Sequence, residues 1–141
     1  MIDVENLVVD TVSKAIKTQY PNVLVVSEYT NTPSSFPCVS VIEADNYTYR
    51  RTQDDCLKEH HASVMYEINV YSNKTKGAKS EAKAILNLVD DTLQNIKFTR
   101  TFKQAIPNQD KSITRIIARY EAVIAKGESI GKNTVYQVYR R

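Results

Sequence analysis

His60 and His61 are the only histidines of the chain. Neighbours on a strand point to opposite faces, so the pair cannot share a metal ion, and no carboxylate–histidine helical spacing accompanies them. Asp54-Asp55 and Asp90-Asp91 are carboxylate pairs, but adjacency alone does not make acid–base machinery. Asp90-Asp91 is expected on the polar side of a helix beside Val89. Asp54-Asp55 is expected in a loop, capping a turn or pairing with Arg50 and Arg51. Gly77-Ala78-Lys79-Ser80 imitates the end of a phosphate-binding loop. That motif needs glycine directly before the lysine and another five residues earlier, where this chain has Ala78 and Asn73. A helix start is the better reading. No Ser, Cys or Lys nucleophile is matched with a base by spacing. We therefore expect no enzyme, no catalytic or metal-binding residues and no cofactor.

Side chains suited to contact surfaces are more numerous. Tyr47, Tyr49, Arg50 and Arg51 crowd into a polar stretch with Asp54 and Asp55, and tyrosine and arginine are enriched in protein–protein contacts. Arg115 and Arg119 interrupt one face of an otherwise apolar strand, which suggests that this face is partly covered. Tyr136, Tyr139, Arg140 and Arg141 close the chain with the same chemistry. All twelve are candidate interface residues.

Composition narrows the class. A chain of 141 residues can bury a core without disulfide or metal staples. An apolar fraction of 42% and a charged fraction of 25% suit a soluble globular domain, and a net charge of +3 is too small to argue for nucleic acid. No apolar run is long enough for a transmembrane helix. The start, MIDVENLVVD, lacks the basic region of a signal peptide, so the protein is expected in the cytoplasm. Without such a peptide the sequons Asn46-Tyr47-Thr48 and Asn73-Lys74-Thr75 carry no weight. Cys38 and Cys56 have no CxxC spacing and are expected to be reduced. The three glycines argue against cofactor crevices.

Hydrophobic periodicity supplies the elements. Residues 3–18 place Val4, Leu7, Val8, Thr11, Val12, Ala15 and Ile16 on one helical stripe, with Asp3 as N-cap. Pro21 stops that helix, and Val23–Tyr29 is β-branched and strand-like. Cys38–Ala44 alternates, and Asp45–Lys58 is a long polar connection, either a protruding hairpin or an ordered loop. Ala62, Val64, Tyr66, Ile68 and Val70 then alternate with polar positions, after which Ala78, Ala82, Ile85, Leu86, Val89, Leu93 and Ile96 form a second stripe. Phe98–Ala105 and Ser112–Ile124 are further strands, and TVYQVYR is a possible tail strand. The order predicts an α+β fold, a mostly antiparallel β-sheet with two amphipathic helices packed on one face. Residues 1–125 would be the domain, and 126–141 an extension used in subunit contacts.

Three phrases, FPCVSVIEADN (36–46), YEINVYSNKTKGAKSEAKAI (66–85) and RIIARYEAVI (115–124), together with this layout, resemble the tail terminator (tail-completion) proteins of long-tailed bacteriophages and prophages. The resemblance implies a hexameric ring on the head-proximal end of the tail tube, which stops tube polymerisation and docks the head or neck. The implied partners are copies of itself, the tail tube protein and a head–tail connector. DNA would pass through the lumen without specific binding. The protein would move from host cytoplasm into the virion. A head-closure or neck adaptor shares the same features. A single-stranded nucleic-acid-binding domain is a separate alternative, with Tyr66, Tyr71 and Tyr120 near Arg115 and Arg119 stacking bases. Tyr66 and Tyr120, however, fall on faces assigned to the core.

Overall fold

The computed structural model describes residues 3–28, 30, 33–48, 61–107, 112–130 and 133–139. In chain order its elements are α1 (Glu5–Gln19), β1 (Leu24–Val26), β2 (Cys38–Thr48), β3 (His61–Ser72), α2 (Ala78–Asn95), β4 (Thr99–Ile106), β5 (Thr114–Ile130) and β6 (Asn133–Tyr139). The strands form one sheet in the order β1-β2-β3-β5-β4, and β6 also pairs with β5. Every pairing is antiparallel except β1 with β2. The fold is α+β.

Alternation in β3 and β5 decides which side the helices take. Ala62, Val64, Tyr66, Ile68 and Val70 of β3 lie in register with Ile124, Ala122, Tyr120, Ala118 and Ile116 of β5. All ten are buried in a single core with Val8, Val12 and Ile16 of α1 and Ala82, Ile85, Leu86, Val89 and Leu93 of α2. These stripes recur at three- and four-residue spacing, so each helix turns one apolar side to the sheet. Burying each such aliphatic side chain contributes roughly 1.5–3 kcal/mol. No helix among the described residues is long and apolar enough to cross a membrane.

Boundaries differ from the sequence reading in several places, and β2 runs on to Thr48 opposite Ala62, into the stretch expected as a polar connection. Helix α1 begins at Glu5 with Val4 at the N-cap position, and the expected capping side chain acts from one residue further out, since Asp3 Oδ1 accepts from the Glu5 N–H (3.1 Å). Strand β1 stops at Val26 rather than Tyr29. Beyond it the carbonyls of Glu28 and Thr30 accept hydrogen bonds from the Ser40 and Tyr71 hydroxyls (3.0 and 2.6 Å), which turns the chain across the sheet. Strand β5 runs unbroken through residue 125, where the extension was expected to start, and pairs with β6 as far as Ile130 opposite Asn133.

The ends of α2 explain two local sequence choices. Gly77 precedes the helix at φ +80°, a backbone conformation that costs other residues strain. The Gly77-Ala78-Lys79-Ser80 phrase is therefore a helix start. At the other end Lys97 adopts φ 72°. The Phe98 N–H reaches the Leu93 carbonyl and the Lys97 N–H reaches that of Gln94 (both 3.0 Å). That is a Schellman closure, and both Leu93 and Phe98 are buried in the same core. It delivers the chain directly into β4.

Candidate functional site

Among the described residues the sheet's second face carries no helix, and two of the candidate interface residues, Arg115 and Arg119, meet there. Three cross-strand rows run from β2 to β4: Ile42–Glu67–Arg119–Phe102, Ser40–Asn69–Ile117–Gln104 and Cys38–Tyr71–Arg115–Ile106. The arginines lie across these rows. Arg119 Nε donates to Glu67 Oε1 (3.2 Å), and Arg115 Nε and Nη2 both donate to Asn69 Oδ1 (3.0 and 2.8 Å). Asn69 Nδ2 donates to Glu67 Oε2 (3.3 Å), which joins the two pairs into one network. Each guanidinium also stands over a ring, Arg115 above Tyr71 (5.5 Å) and Arg119 above Phe102 (5.4 Å). Glu67 and Asn69 are 4% and 0% exposed, and Ile117 is buried between the two arginines. Arginines bonded to these polar side chains and stacked on rings cover part of the face while their charged ends reach water.

At the lower end of this face the described residues between β1 and β2 form a lid. Cys38, Tyr71 and Ile113 make a second small core there, with Leu24, Val26 and Phe36 packed on it. Burial pushes the Cys38 thiol up to about 11, so it stays protonated and unreactive at neutral pH. Higher on the face, Asp45 and Glu121 hold positions level with Met65. With Glu67 they give three carboxylates against two arginines, a balance that does not favour a polyanion. Tyr66, Tyr71 and Tyr120 are buried, so none presents a ring for stacking bases.

Two polar ties lie on the helix side of the sheet, one reaching α2 and one joining β3 to β2. Tyr120 donates to Asp90 Oδ1 (2.7 Å), which also accepts from Arg100 Nη1 (3.1 Å), while Gln94 Nε2 donates to Asp90 Oδ2 (2.7 Å). Asp90 was expected on the polar side of its helix. It instead pins α2 to β5 and β4, and Asp91 alone is exposed. Tyr66 donates to Glu43 Oε1 (3.3 Å), which also accepts from Asn46 Nδ2 (3.0 Å). Burial, reinforced by the neighbouring carboxylate, raises both tyrosine hydroxyls far above their ordinary value. Each stays a proton donor in a structural bond. Glu43 also approaches Asp3 and Glu5, with one carboxylate oxygen of each within 4.8 Å of the others.

Among the other interface candidates, Tyr47 is half-exposed at the upper end of β2, on the helix-free face opposite Ser63. Tyr136 and Tyr139 are placed on β6 opposite Lys126 and Val123. Tyr49, Arg50, Arg51, Asp54, Asp55, Arg140 and Arg141, along with Cys56 and His60, lie outside the described residues. Glu67, Asn69 and Glu43 were not singled out from the sequence, and Asp90 was, but not as a tie to the sheet. The available signal was a charged and an amide side chain inside the nearly continuous buried run of β3.

Recesses of the described surface hold few ionisable groups. One of about 290 Å³ beneath the lid is lined by Leu24, Val26, Glu28, Thr30, Pro33, Ser34 and Cys38. Another, of about 190 Å³ between α1 and the Ile96–Phe98 turn, is apolar. A comparison with protein-family models finds no match for the chain, and a comparison with curated proteins finds none either.

Proposed function

We propose that this protein is a ring-forming tail terminator of a long-tailed bacteriophage or prophage. It caps the head-proximal end of the tail tube, stops tube growth and offers a docking face to the neck. The observation that carries the reading is a sheet that, among the described residues, has helices on one side only, with lateral edges and a β5–β6 hairpin available to engage other chains. That hairpin pairs on to Ile130, past the end of the described β3 pairing at Ala125. The three phrases that carry the family resemblance fall on β2, on β3 with α2, and on β5, which are neighbours in the sheet. The networks around Glu67 and Asp90 act as internal ties, and no reaction is assigned to them. A closed ring requires two different lateral surfaces per subunit, repeated head to tail. Light-scattering mass and negative-stain images of purified protein, alone and mixed with tail tubes, test the reading. Rings, or caps on tube ends, are expected. A strict monomer that ignores tubes overturns it.

A further inference from the structure

Among the described strands β4 is an edge of unusual exposure. It pairs there with β5 alone, and every residue from Arg100 to Ala105 is exposed, whichever face its side chain takes. On the opposite side of the sheet, β1 covers β2 only as far as Ser40. From Val41 to Asp45, β2 pairs with β3 alone among the described strands. An edge strand displays unpaired N–H and C=O groups and is a template for another chain.

The two edges differ in charge. Lys103 projects from β4 on the helix side of the sheet, the side shared by its register partner Ala118, with Lys97 and Arg100 nearby in sequence. The β2 edge presents Glu43 on the same side, clustered with Asp3 and Glu5 of the α1 start. Among the described residues none of these three carboxylates forms an ion pair. On the helix-free side each edge carries an exposed aromatic, Phe102 on β4 and Tyr47 on β2.

Resting on the ring reading, we infer that β4 of one subunit pairs with the β2 edge of a second copy, continuing the sheet from subunit to subunit. The edges are unlike and opposite in charge, so the contact is heterologous and propagates in one direction, as a ring requires. Strand direction fits as well. Because β2 and β4 both run antiparallel to a neighbour, β3 and β5, which are themselves antiparallel, β2 and β4 point opposite ways within one subunit. Copies related by rotation about an axis along the strands therefore meet with β4 antiparallel to the next β2. Lys103 then faces the acidic cluster, and Phe102 and Tyr47 come together on the other side of the sheet, where cross-strand aromatic pairs are favourable.

Carbodiimide cross-linking of the assembled full chain, read by peptide mass spectrometry, tests this contact together with the Lys103→Glu variant. The expected result is an intersubunit bond from Lys103 to Glu43, Asp3 or Glu5, and loss of ring mass to monomer in K103E at unchanged circular dichroism. Adding Glu5→Lys to K103E is expected to restore rings in part. Rings that persist in K103E and yield no such cross-link overturn the edge pairing while the ring reading stands. A wild-type chain that never leaves the monomer, with or without tubes, overturns both.

Discussion

The two faces of this sheet are buried by different means. On one side, α1 and α2 lay aliphatic side chains onto Val64, Ile68, Ala118 and Ile124, and the contact is almost wholly apolar. On the other, two arginines and the described residues between β1 and β2 cover Glu67, Asn69 and Tyr71 through hydrogen bonds and ring contacts. Apolar packing is non-directional and loses free energy roughly in proportion to the volume removed. A polar cover depends on each partner, since removing one strands the other. The helix layer should thus set stability, and the arginine cover should set how the opposite face is presented.

The largest effect is expected on the helix side. Leu93→Ala removes a fully buried side chain from the core it shares with Phe98. Denaturant unfolding should show a loss of about 2–5 kcal/mol. A loss below about 1 kcal/mol would mean that α2 is not clamped to the sheet as the contacts require.

A smaller loss is expected on the arginine side. Arg119→Ala leaves the Glu67 carboxylate in a site that is only 4% exposed. Breaking a wholly buried pair costs about 3–5 kcal/mol, but the Arg119 side chain is 46% exposed and water would replace part of it. We expect about 1–2 kcal/mol. The double variant with Glu67→Gln should recover part of that loss, because the stranded charge goes with it. A double-mutant cycle reads the coupling directly, and strict additivity would show that the two side chains act independently.

The same contrast decides what could be read from the residues alone. Period-two runs in β3 and β5 and the two helical stripes assign most of the helix-side core, because apolar burial follows spacing along the chain, although Leu7 of the first stripe is exposed and Val39, Val41 and Phe98 join the core from outside these runs. The polar cover follows contacts distant in sequence. Glu67 meets Arg119 across 52 residues, Asn69 meets Arg115 across 46, and Tyr120 meets Asp90 across 30. Arg119 among apolar neighbours signalled that its face was covered, but not that Glu67 of the same chain does part of the covering. Strand β1 was drawn too long for a similar reason, since Glu28 of its expected end gives its carbonyl to Ser40 and the next described residue, Thr30, gives its own to Tyr71. The edges of β2 and β4 were not legible at all, because only the strand order shows which strands lie outermost.

The smallest expected effect concerns the lid over Cys38 and sharpens the comparison at its weakest point. In a Cys56→Ser background, native Cys38 should resist a thiol reagent at pH 8 and react fully once the chain is denatured. Its thiol is held up to about 11 from an ordinary 9.0 by burial. Between those values the unfolded chain releases its proton while the folded chain keeps it. The unfolded state then binds fewer protons, and stability falls as pH rises from 9 to 11. Tyr66 and Tyr120, raised by burial on the opposite face, add a loss of the same sign once pH passes 10. Reactivity separates the two contributions, because only Cys38 reports on the lid. Rapid labelling at pH 8, without loss of circular dichroism, would show that the lid opens while the helix layer stays closed. In that case the bond from Tyr71 to the Thr30 carbonyl does not hold the cover in place.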